Sequence, residues 1–483
     1  MQFPRQRSLK RLTVPFVAVL ASTALLALPA PGNSAPIPSV RLITANDSIE
    51  ALRFGSRPIG LDLGLYVAST GGPFELRVSR PDYDTPISLK QVDAETHDVL
   101  RVLPTDLLDG WDSLHDFMRI RVLRNDGRLM SDEFRPFCPN SWNRARVDDT
   151  GPDTDPYPEY CAGTPLTRGM VWGIEQGWAV DPFGGDYLRL DLPDGRYTVN
   201  ISVAQPYLGL LGIPQDDARV SVDLRVRTRS KTSTAPRSPA PEPQQPAPAV
   251  PDVTDPDPAT VPNLISHPAW GISTYSSGRR DLLSFAATEW NEGPAPMVIE
   301  GFRTPGEDEM DAFQYFYDGD EPVARANVGS LDYDRRTGHR HWHFPQFVEY
   351  RLLNETKTLA VKSAKQSFCL VPTDAVDLTI PNANWKPGIV GLSSACGGES
   401  ALWIRETLDV GWGDTYFQSV AGQAFNITNV PNGRYFIEVE VNPLGNLFEL
   451  TTADNSELRL IRLGGRPGHR RVAVPPWHGI DTG

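Results

Sequence analysis

The chain has 483 residues, of which 40% are hydrophobic, and this length and composition predict two or three domains with packed cores. Its formal net charge of −14 at pH 7 disfavours nucleic acid as a partner and favours cationic partners.

The N-terminus has the pattern of a secretory signal peptide. A basic segment precedes an apolar run over residues 12–30, and small residues and prolines follow as far as Ala35. Residues 1–35 are therefore predicted to direct secretion to the extracellular space. Their removal would take away four positive charges and no negative ones, which leaves a net charge of about −18. The alternative is a retained membrane anchor, because the run approaches the length of a span. No other stretch is long and apolar enough, so no membrane contact is expected after cleavage.

Residues 36–228 are predicted to form a first domain with the pattern of an antiparallel β-sandwich. Short stretches of alternating apolar and polar residues recur, as at 119–123 and 197–203, and turn residues such as those at 193–195 separate them. Sustained helical periodicity is absent. The segment 139–168 is rich in Asp, Pro, Asn and Gly, which predicts a long loop.

Residues 229–262 are predicted to be a proline-rich linker that cannot build a core and acts as an extended spacer. Short strands recur over 263–466, which predicts a second β domain. Residues 467–483 are predicted to be a flexible tail. The fold class is therefore all-β, with two β-sandwich-like domains joined by a proline-rich linker.

The four cysteines fall two on each side of the linker. An even number of cysteines in an exported chain predicts disulfides. We therefore expect the pairs Cys138–Cys161 and Cys369–Cys396, one in each domain.

The two domains have the features of diverged copies. Leu-Pro-Asp-Gly-Arg-Tyr at 192–197 precedes a strand in the first, and Val-Pro-Asn-Gly-Arg-Tyr at 430–435 precedes a strand in the second. Two more pairs of markers keep the same order: Phe137-Cys138 with Phe368-Cys369, and Gly177-Trp178 with Gly411-Trp412. Several markers in one order predict an internal duplication. Turn chemistry shared by chance between two sandwiches is the alternative.

The densest chemical signal is the cluster His339-Arg340-His341-Trp342-His343, which holds three of the eight histidines. A predicted strand follows, and alternation along it would place the three imidazoles on one face. Imidazole binds copper, zinc, iron or nickel, so the cluster predicts a transition-metal site without fixing the metal. A polar loop with chance histidines is the alternative. The first domain has only His115 at the corresponding place, so it is predicted to be a non-catalytic copy.

The second domain resembles the lysyl oxidase family, the secreted copper amine oxidases that act on peptidyl lysine. Its histidine cluster resembles the His-x-His-aromatic-His copper motif of that family. Three more segments resemble family segments in the same order: Lys-Gln-Ser-Phe-Cys-Leu at 365–370, Gly-Asp-Thr-Tyr at 413–416, and residues 431–443, which end in Val-Asn-Pro. The resemblance covers residues 280–463.

This resemblance implies copper held by His339, His341 and His343. It also implies a lysine tyrosylquinone cofactor formed by cross-linking Lys365 to Tyr416. The implied reaction is oxidative deamination of a primary amine, either peptidyl lysine or a polyamine, with molecular oxygen as the second substrate. The products would be an aldehyde, hydrogen peroxide and ammonia.

The implied reaction needs a base, which must be a carboxylate or an imidazole within reach of the substrate. Asp414 is the nearest candidate in the sequence, and Asp332 and Asp334 are the others. The alternative for Asp414 is a structural role in a turn or a cap.

The chain departs from the family pattern near the histidines. Gly338 stands where the family has a cysteine, and Arg336 stands where it has an additional histidine. The local partner of Cys369 is Cys396, whereas the corresponding family cysteine closes a short loop. We therefore expect the scaffold to be held together differently, which affects substrate geometry more than metal binding.

Together these features predict a secreted copper- and quinone-dependent amine oxidase whose acidic surface favours lysine-rich or polyamine substrates. One alternative is a zinc or copper protein that uses the histidines without a quinone, such as a hydrolase. The other is a non-catalytic extracellular binding protein.

Overall fold

The computed structural model describes residues 36–54, 58–184, 188–229, 246–304, 307–335, 341–345, 347–363, 367–387, 396–399, 401–420 and 422–482. Strands dominate these residues, and the predicted all-β fold is confirmed. In this part of the chain the one α-helix, α1, spans Gln205–Leu211. None of the helices in the ranges above has the length and apolar character needed to cross a membrane. The predicted signal peptide, 1–35, lies outside the described residues.

The described residues of the N-terminal half, 37–229, form strands, the helix α1 and one short 3-10 helix, Thr105–Leu107. The strands are β1 (Ser39–Thr44), β2 (Ser48–Phe54), β3 (Ile59–Leu61), β4 (Leu65–Thr70), β5 (Phe74–Ser79), β6 (Ser88–Val92), β7 (Val99–Leu103), β8 (Leu108–Asp109), β9 (Ser113–Arg124), β10 (Leu129–Phe137), β11 (Arg144–Arg146), β12 (Gly169–Ile174), β13 (Trp178–Val180), β14 (Leu188–Leu190), β15 (Gly195–Val203) and β16 (Arg219–Arg229). They form sheets in the orders β10-β9-β15-β16-β2, β1-β4-β13-β11 and β12-β5-β6-β7, with the pair β14-β3.

β15 shows how the sequence produces these sheets. Its alternate residues Tyr197, Val199 and Ile201 are each at most 1% exposed, whereas the residues between them are half-buried. Successive side chains of a strand point to opposite faces, so one face of β15 enters the core. Each large apolar side chain buried in this way stabilises the fold by about 1.5–3 kcal/mol.

The C-terminal half, residues 246–482, begins with the 3-10 helix Pro258–Thr260. Its strands are β17 (Leu264–Ser266), β18 (Trp270–Ser277), β19 (Arg280–Asn291), β20 (Met297–Phe302), β21 (Glu309–Asp318), β22 (Glu321–Tyr333), β23 (Trp342–Pro345), β24 (Val348–Asn354), β25 (Leu359–Lys362), β26 (Ser367–Phe368), β27 (Asp374–Ala375), β28 (Trp403–Leu408), β29 (Trp412–Tyr416), β30 (Ala424–Asn426), β31 (Gly433–Val441), β32 (Ser456–Arg466) and β33 (His469–Ala473). They form sheets in the orders β26-β23-β22-β21-β20-β28, β25-β24-β31-β32-β33 and β17-β19-β29-β27.

The two halves share local geometry at the markers that predict a duplication. β9, β15 and β16 are successive neighbours in their sheet, as are β24, β31 and β32. The hydroxyl of Tyr197 donates to the carbonyl of Pro193 at 2.7 Å, and the hydroxyl of Tyr435 donates to that of Pro431 at 2.9 Å. These parallels support the duplication, which stays a prediction.

Two segments expected to be extended or flexible lie against the sheets. The backbone of Val253 donates to the carbonyl of Arg325, and Arg325 donates to that of Pro251, so the end of the predicted linker follows β22. Residues 230–245 lie outside the described residues. In the predicted flexible tail, β33 pairs with β32 and Val472 packs against the core. The tail is ordered over β33, unlike the expectation, because the edge of β32 supplies hydrogen-bond partners for its backbone.

The two halves are joined by backbone hydrogen bonds around Val376. The N–H groups of Arg168 and Gly169 both donate to the carbonyl of Val376, at 2.6 and 3.1 Å, and Leu378 donates to Gly169 at 2.8 Å. Ala375 and Leu378 are buried in the core of the N-terminal half. Because β27 ends at Ala375 and pairs with β29, the N-terminal half anchors β29 from one side. The described residues from Ile37 onward form one compact unit by their contacts.

This junction predicts the effect of a side chain at Gly169. A Cβ there would lie 2.3 Å from Oδ1 of Asp377 and 2.7 Å from Oγ1 of Thr379, closer than real Cβ atoms come. We expect Gly169→Val to lower the free energy of unfolding by about 1–3 kcal/mol, the usual cost of overpacking. Urea unfolding measures it. Gly464→Val is the control, because a Cβ on that strand glycine meets no atom within 4 Å. Equal losses in the two variants would contradict the steric argument.

Candidate active site

β23 holds the end of the histidine cluster between two neighbouring strands. His343 is opposite Asp332 of β22, and Phe344 is opposite Phe368 of β26. His343 is 2% exposed. The imidazole centroids of His341 and His343 lie 4.5 Å apart, with their ring planes at 80°. The structure therefore brings two of the three predicted ligands together.

Trp342, between these histidines, fixes the strand. It is fully buried, its indole N–H donates to the carbonyl of Gly398 at 3.0 Å, and its backbone N–H donates to that of Cys396 at 2.9 Å. His339 and Arg340 lie outside the described residues. That all three imidazoles share one face of the strand therefore stays a prediction.

The donor set fits a transition metal. Nδ1 of His343 lies 3.6 Å from Oδ2 of Asp334, whose side chain is 9% exposed. A carboxylate beside one ring nitrogen orients an imidazole and leaves the other nitrogen for a metal. The backbone N–H of Asp334 also donates to the carbonyl of His341 at 3.0 Å, so one residue contacts both histidines. Neighbouring imidazoles suit copper among other metals.

A second group of possible metal donors contains two cysteines that are joined in a disulfide. The sulfurs of Cys369 and Cys396 and a carboxylate oxygen of Glu406 lie within 4.8 Å of one another. The two sulfurs are bonded to each other, so neither offers a thiolate. This pair and Cys138–Cys161 confirm both predicted disulfides.

Tyr416 lies at the end of β29, close to β26. Its hydroxyl donates to the carbonyl of Cys369 at 2.9 Å, and its ring packs edge-on against Phe368 with centroids 4.9 Å apart. Phe368 lies in β26, which is paired with the histidine strand β23. Tyr416 is therefore one strand away from His343. Lys365, its predicted cross-linking partner, precedes β26 and lies outside the described residues.

Buried carboxylic acids surround Tyr416. Burial, together with the charges of Asp414 and Glu406, raises the pKa of Tyr416 well above its ordinary value. Burial also raises the pKa of Glu406, although the N–H of Leu370 donates to its carboxylate at 3.2 Å. Glu289 stands directly opposite Asp414 in the β19–β29 pair, and both side chains are buried. The hydroxyl of Tyr416 is therefore a neutral phenol in acidic surroundings with little water.

The three predicted base candidates occupy different places. Asp414 is 2% exposed and forms a side-chain hydrogen bond with Tyr416. Asp334 lies beside His343, which suits it to orienting a ligand. Asp332 is exposed on β22. Asp414 is the candidate with direct contact to the tyrosine.

Sequence reasoning does not find Glu289 and Glu406. Each lies in a strand that is almost entirely buried, β19 and β28 respectively. An acid within a strand-forming stretch is the signal that could have found them, although Asp281 in β19 and Arg405 in β28 are charged as well. Burying a carboxylate is costly, and such groups concentrate at functional sites.

Asp409, just before β29, predicts a pH effect on stability. It is 3% exposed, and burial raises its pKa to about 6 despite a hydrogen bond from Asn384 at 2.8 Å. An unfolded aspartate has a pKa of about 3.9. Its contribution to stability is therefore fully present below pH 4 and is lost as the pH rises through 6.

We expect Asp409→Asn to be more stable than the unchanged protein at pH 8, by up to roughly 3 kcal/mol. At pH 4 this gain should vanish. Urea unfolding at the two pH values measures the difference, with the exposed Asp320→Asn as control. A gain that is the same at both pH values would show that the titration of Asp409 is not its cause.

An all-β domain with two neighbouring imidazoles, and a half-buried tyrosine packed against the strand next to them, defines a candidate metalloprotein with a redox-capable side chain. The family model described as lysyl oxidase matches residues 322–466, a range that contains the histidine cluster, Lys365 and Tyr416. The C-terminal domain therefore belongs to the lysyl oxidase family.

Curated relatives match a part of the chain as well. Lysyl oxidase homolog 4 of Mus musculus is 28% identical over 166 residues, which is 32% of this chain and 19% of that protein. Lysyl oxidase homolog 2 of Homo sapiens is 28% identical over 154 residues, 30% of this chain and 18% of the relative. Lysyl oxidase homolog 3A of Danio rerio is 29% identical over 138 residues, which is 26% of this chain and 16% of that protein. The matches span less than a fifth of each relative's length.

Proposed function

We propose that the protein is a secreted copper-dependent amine oxidase of the lysyl oxidase type. The observation that carries this proposal is the position of Tyr416, half-buried beside acids and one strand away from the neighbouring imidazoles of His341 and His343. All three residues lie in the segment that matches the family. Secretion rests on the signal-peptide pattern of residues 1–35.

His339, His341 and His343 would hold the copper, and Lys365 and Tyr416 would form lysine tyrosylquinone. With these groups in place, a primary amine, oxygen and water would become an aldehyde, ammonia and hydrogen peroxide.

The surrounding residues have separate tasks in this proposal. Asp334 orients the imidazole of His343. The carbonyl of Cys369 and the ring of Phe368 hold Tyr416 in place and keep water away from it. A carboxylate oxygen of Asp414 would take the proton from the carbon next to the amine nitrogen.

The acidic charge of the chain supports a cationic substrate, either peptidyl lysine or a polyamine. We expect the KM for such an amine to rise with ionic strength, because salt screens the attraction. Initial rates between low and physiological salt measure this. A KM that does not change would remove the argument from charge and leave the oxidase proposal standing.

Phenylhydrazine labelling of the secreted, copper-loaded protein tests the proposal, because hydrazines react with quinone carbonyls. Peptide mass spectrometry should find the label on a cross-link between the peptides of Lys365 and Tyr416. Separate, unlabelled peptides in a protein with bound copper would reject the quinone. A metal-binding domain of another kind, such as a hydrolase, would then remain.

A further inference from the structure

A pocket of about 290 Å³ lies at the junction of the two halves, and we call it the junction pocket. Residues 158–160, Ala162 and Met170 of the N-terminal half line one side. Residues 372–375, Leu378, residues 385–387 and Trp412 line the other. The Cys138–Cys161 disulfide anchors the first side. The backbone bonds around Val376 anchor the second. The walls are therefore held before any ligand arrives, which lowers the entropic cost of binding.

Aromatic rings form much of this lining. Tyr160 is 60% exposed, and Trp385 and Trp412 are half-buried. The indole N–H of Trp385 donates to the carbonyl of Leu378, and that of Trp412 donates to the carbonyl of Asn384. Because its donor is already used, Trp412 offers a ligand ring surface rather than a hydrogen bond, as Tyr160 does with its exposed ring. The ring of Trp385 already contacts Tyr157 and the guanidinium of Arg77 and forms a wall of the pocket. Ring faces attract cations.

The charges at the junction pocket sum to one negative charge. Glu159 and Asp374 are carboxylates in the lining. The ammonium of Lys386, also in the lining, is bonded to Asp155, and Asp155 is paired with Arg144 as well. Two cations therefore stand against three carboxylates. A ligand with one positive charge would restore neutrality.

We propose that the junction pocket binds an ammonium group on an aliphatic stem, such as a lysine side chain. Ring surface with carboxylates favours a cation over a neutral or anionic group. Trp412 and Tyr416 stand on one face of β29, roughly 13 Å apart at the rise of a strand. The same distance separates residues four apart in an extended peptide.

The junction pocket would thus hold a second lysine of a substrate whose first lysine reaches Tyr416. This use of the pocket rests on the proposed function, whereas binding of the ammonium group does not. The N-terminal half then contributes to substrate choice, although it lacks the histidine cluster.

The test uses the full-length protein without copper. Calorimetry measures the affinity of this protein for the probe N-acetyl-Nε-trimethyllysine methylamide. A quaternary ammonium cannot be oxidised to an aldehyde, so its binding is independent of the cofactor. N-acetylnorleucine methylamide is the uncharged counterpart. We expect the uncharged probe to bind about tenfold more weakly than the charged probe, or more weakly still. Asp374→Asn and Glu159→Gln should each weaken the charged probe about fivefold, while the exposed Asp320→Asn should not.

Urea unfolding of each variant shows whether its fold is kept. No binding of the charged probe, equal affinity for the two probes, or affinity unchanged in both pocket variants would overturn the inference. If the probe binds as expected to a protein that forms no quinone, the inference holds and the oxidase proposal fails. If a protein that forms the quinone does not bind the probe, the inference fails and the oxidase proposal holds.

Discussion

Replacing His343 by alanine is expected to remove bound copper and to abolish amine oxidation. His343 is buried, its ring lies 4.5 Å from that of His341, and Asp334 orients it. Loss of an outer partner of a metal ligand typically costs 10–100-fold in affinity, so loss of the ligand itself should exceed about 100-fold. Copper per protein after dialysis and peroxide release with a primary amine measure the two effects.

His115→Ala is the matched control, because the predicted duplication places His115 where the cluster stands in the second domain, and its side chain is 60% exposed. It should change neither copper content nor turnover. Asp334→Asn should fall between the two, with affinity lowered about 10–100-fold. If His343→Ala keeps its copper, the cluster is not the metal site. If His343→Ala loses its copper but the protein without any substitution does not oxidise amines, a metal protein without a quinone is the better description.

The parts of the fold that the sequence predicts well are those set by local pattern. Alternation identifies β15 and β31, because a strand with one face in the core must repeat every two residues. Both disulfides follow from counting cysteines on each side of a compositional break. His341 and His343 are found as neighbours for the same reason, since residues two apart on a strand share a face.

The parts that the sequence does not predict depend on contacts between distant segments. Charged and proline-rich composition suggests a free tail after residue 466, yet the edge of β32 binds β33. Nothing near Gly169 in the sequence indicates that its backbone meets Val376. Glu289 becomes part of the site only because β19 pairs with β29.

The junction also explains how the site is held together without the additional cysteines of the family pattern. Gly338 replaces one of them, and in the described residues Cys369 has its bond to Cys396. β29 is instead held by β19 on one side and by β27 on the other. β27 is in turn docked on the N-terminal half. The N-terminal half can thus support a site that it does not contain.

Tyr416→Phe is expected to abolish phenylhydrazine labelling and amine oxidation while copper stays bound. Phenylalanine has no ring oxygen, so the quinone cannot form at this position. The lost hydrogen bonds to the carbonyl of Cys369 and to Asp414 should cost only about 1 kcal/mol each. The fold and the histidine strand should therefore persist. Labelling, copper content and urea unfolding are measured on the same preparation.

Tyr435→Phe is the matched control, because the hydroxyl of Tyr435 also donates to a backbone carbonyl at 2.9 Å, that of Pro431. It should lose about 1 kcal/mol of stability and keep full labelling. Since the two variants remove the same kind of bond from strands of the same domain, a difference in labelling reports on chemistry rather than on packing. Labelling that survives in Tyr416→Phe would place the reactive carbonyl elsewhere in the chain, and the cross-link to Lys365 would have to be abandoned.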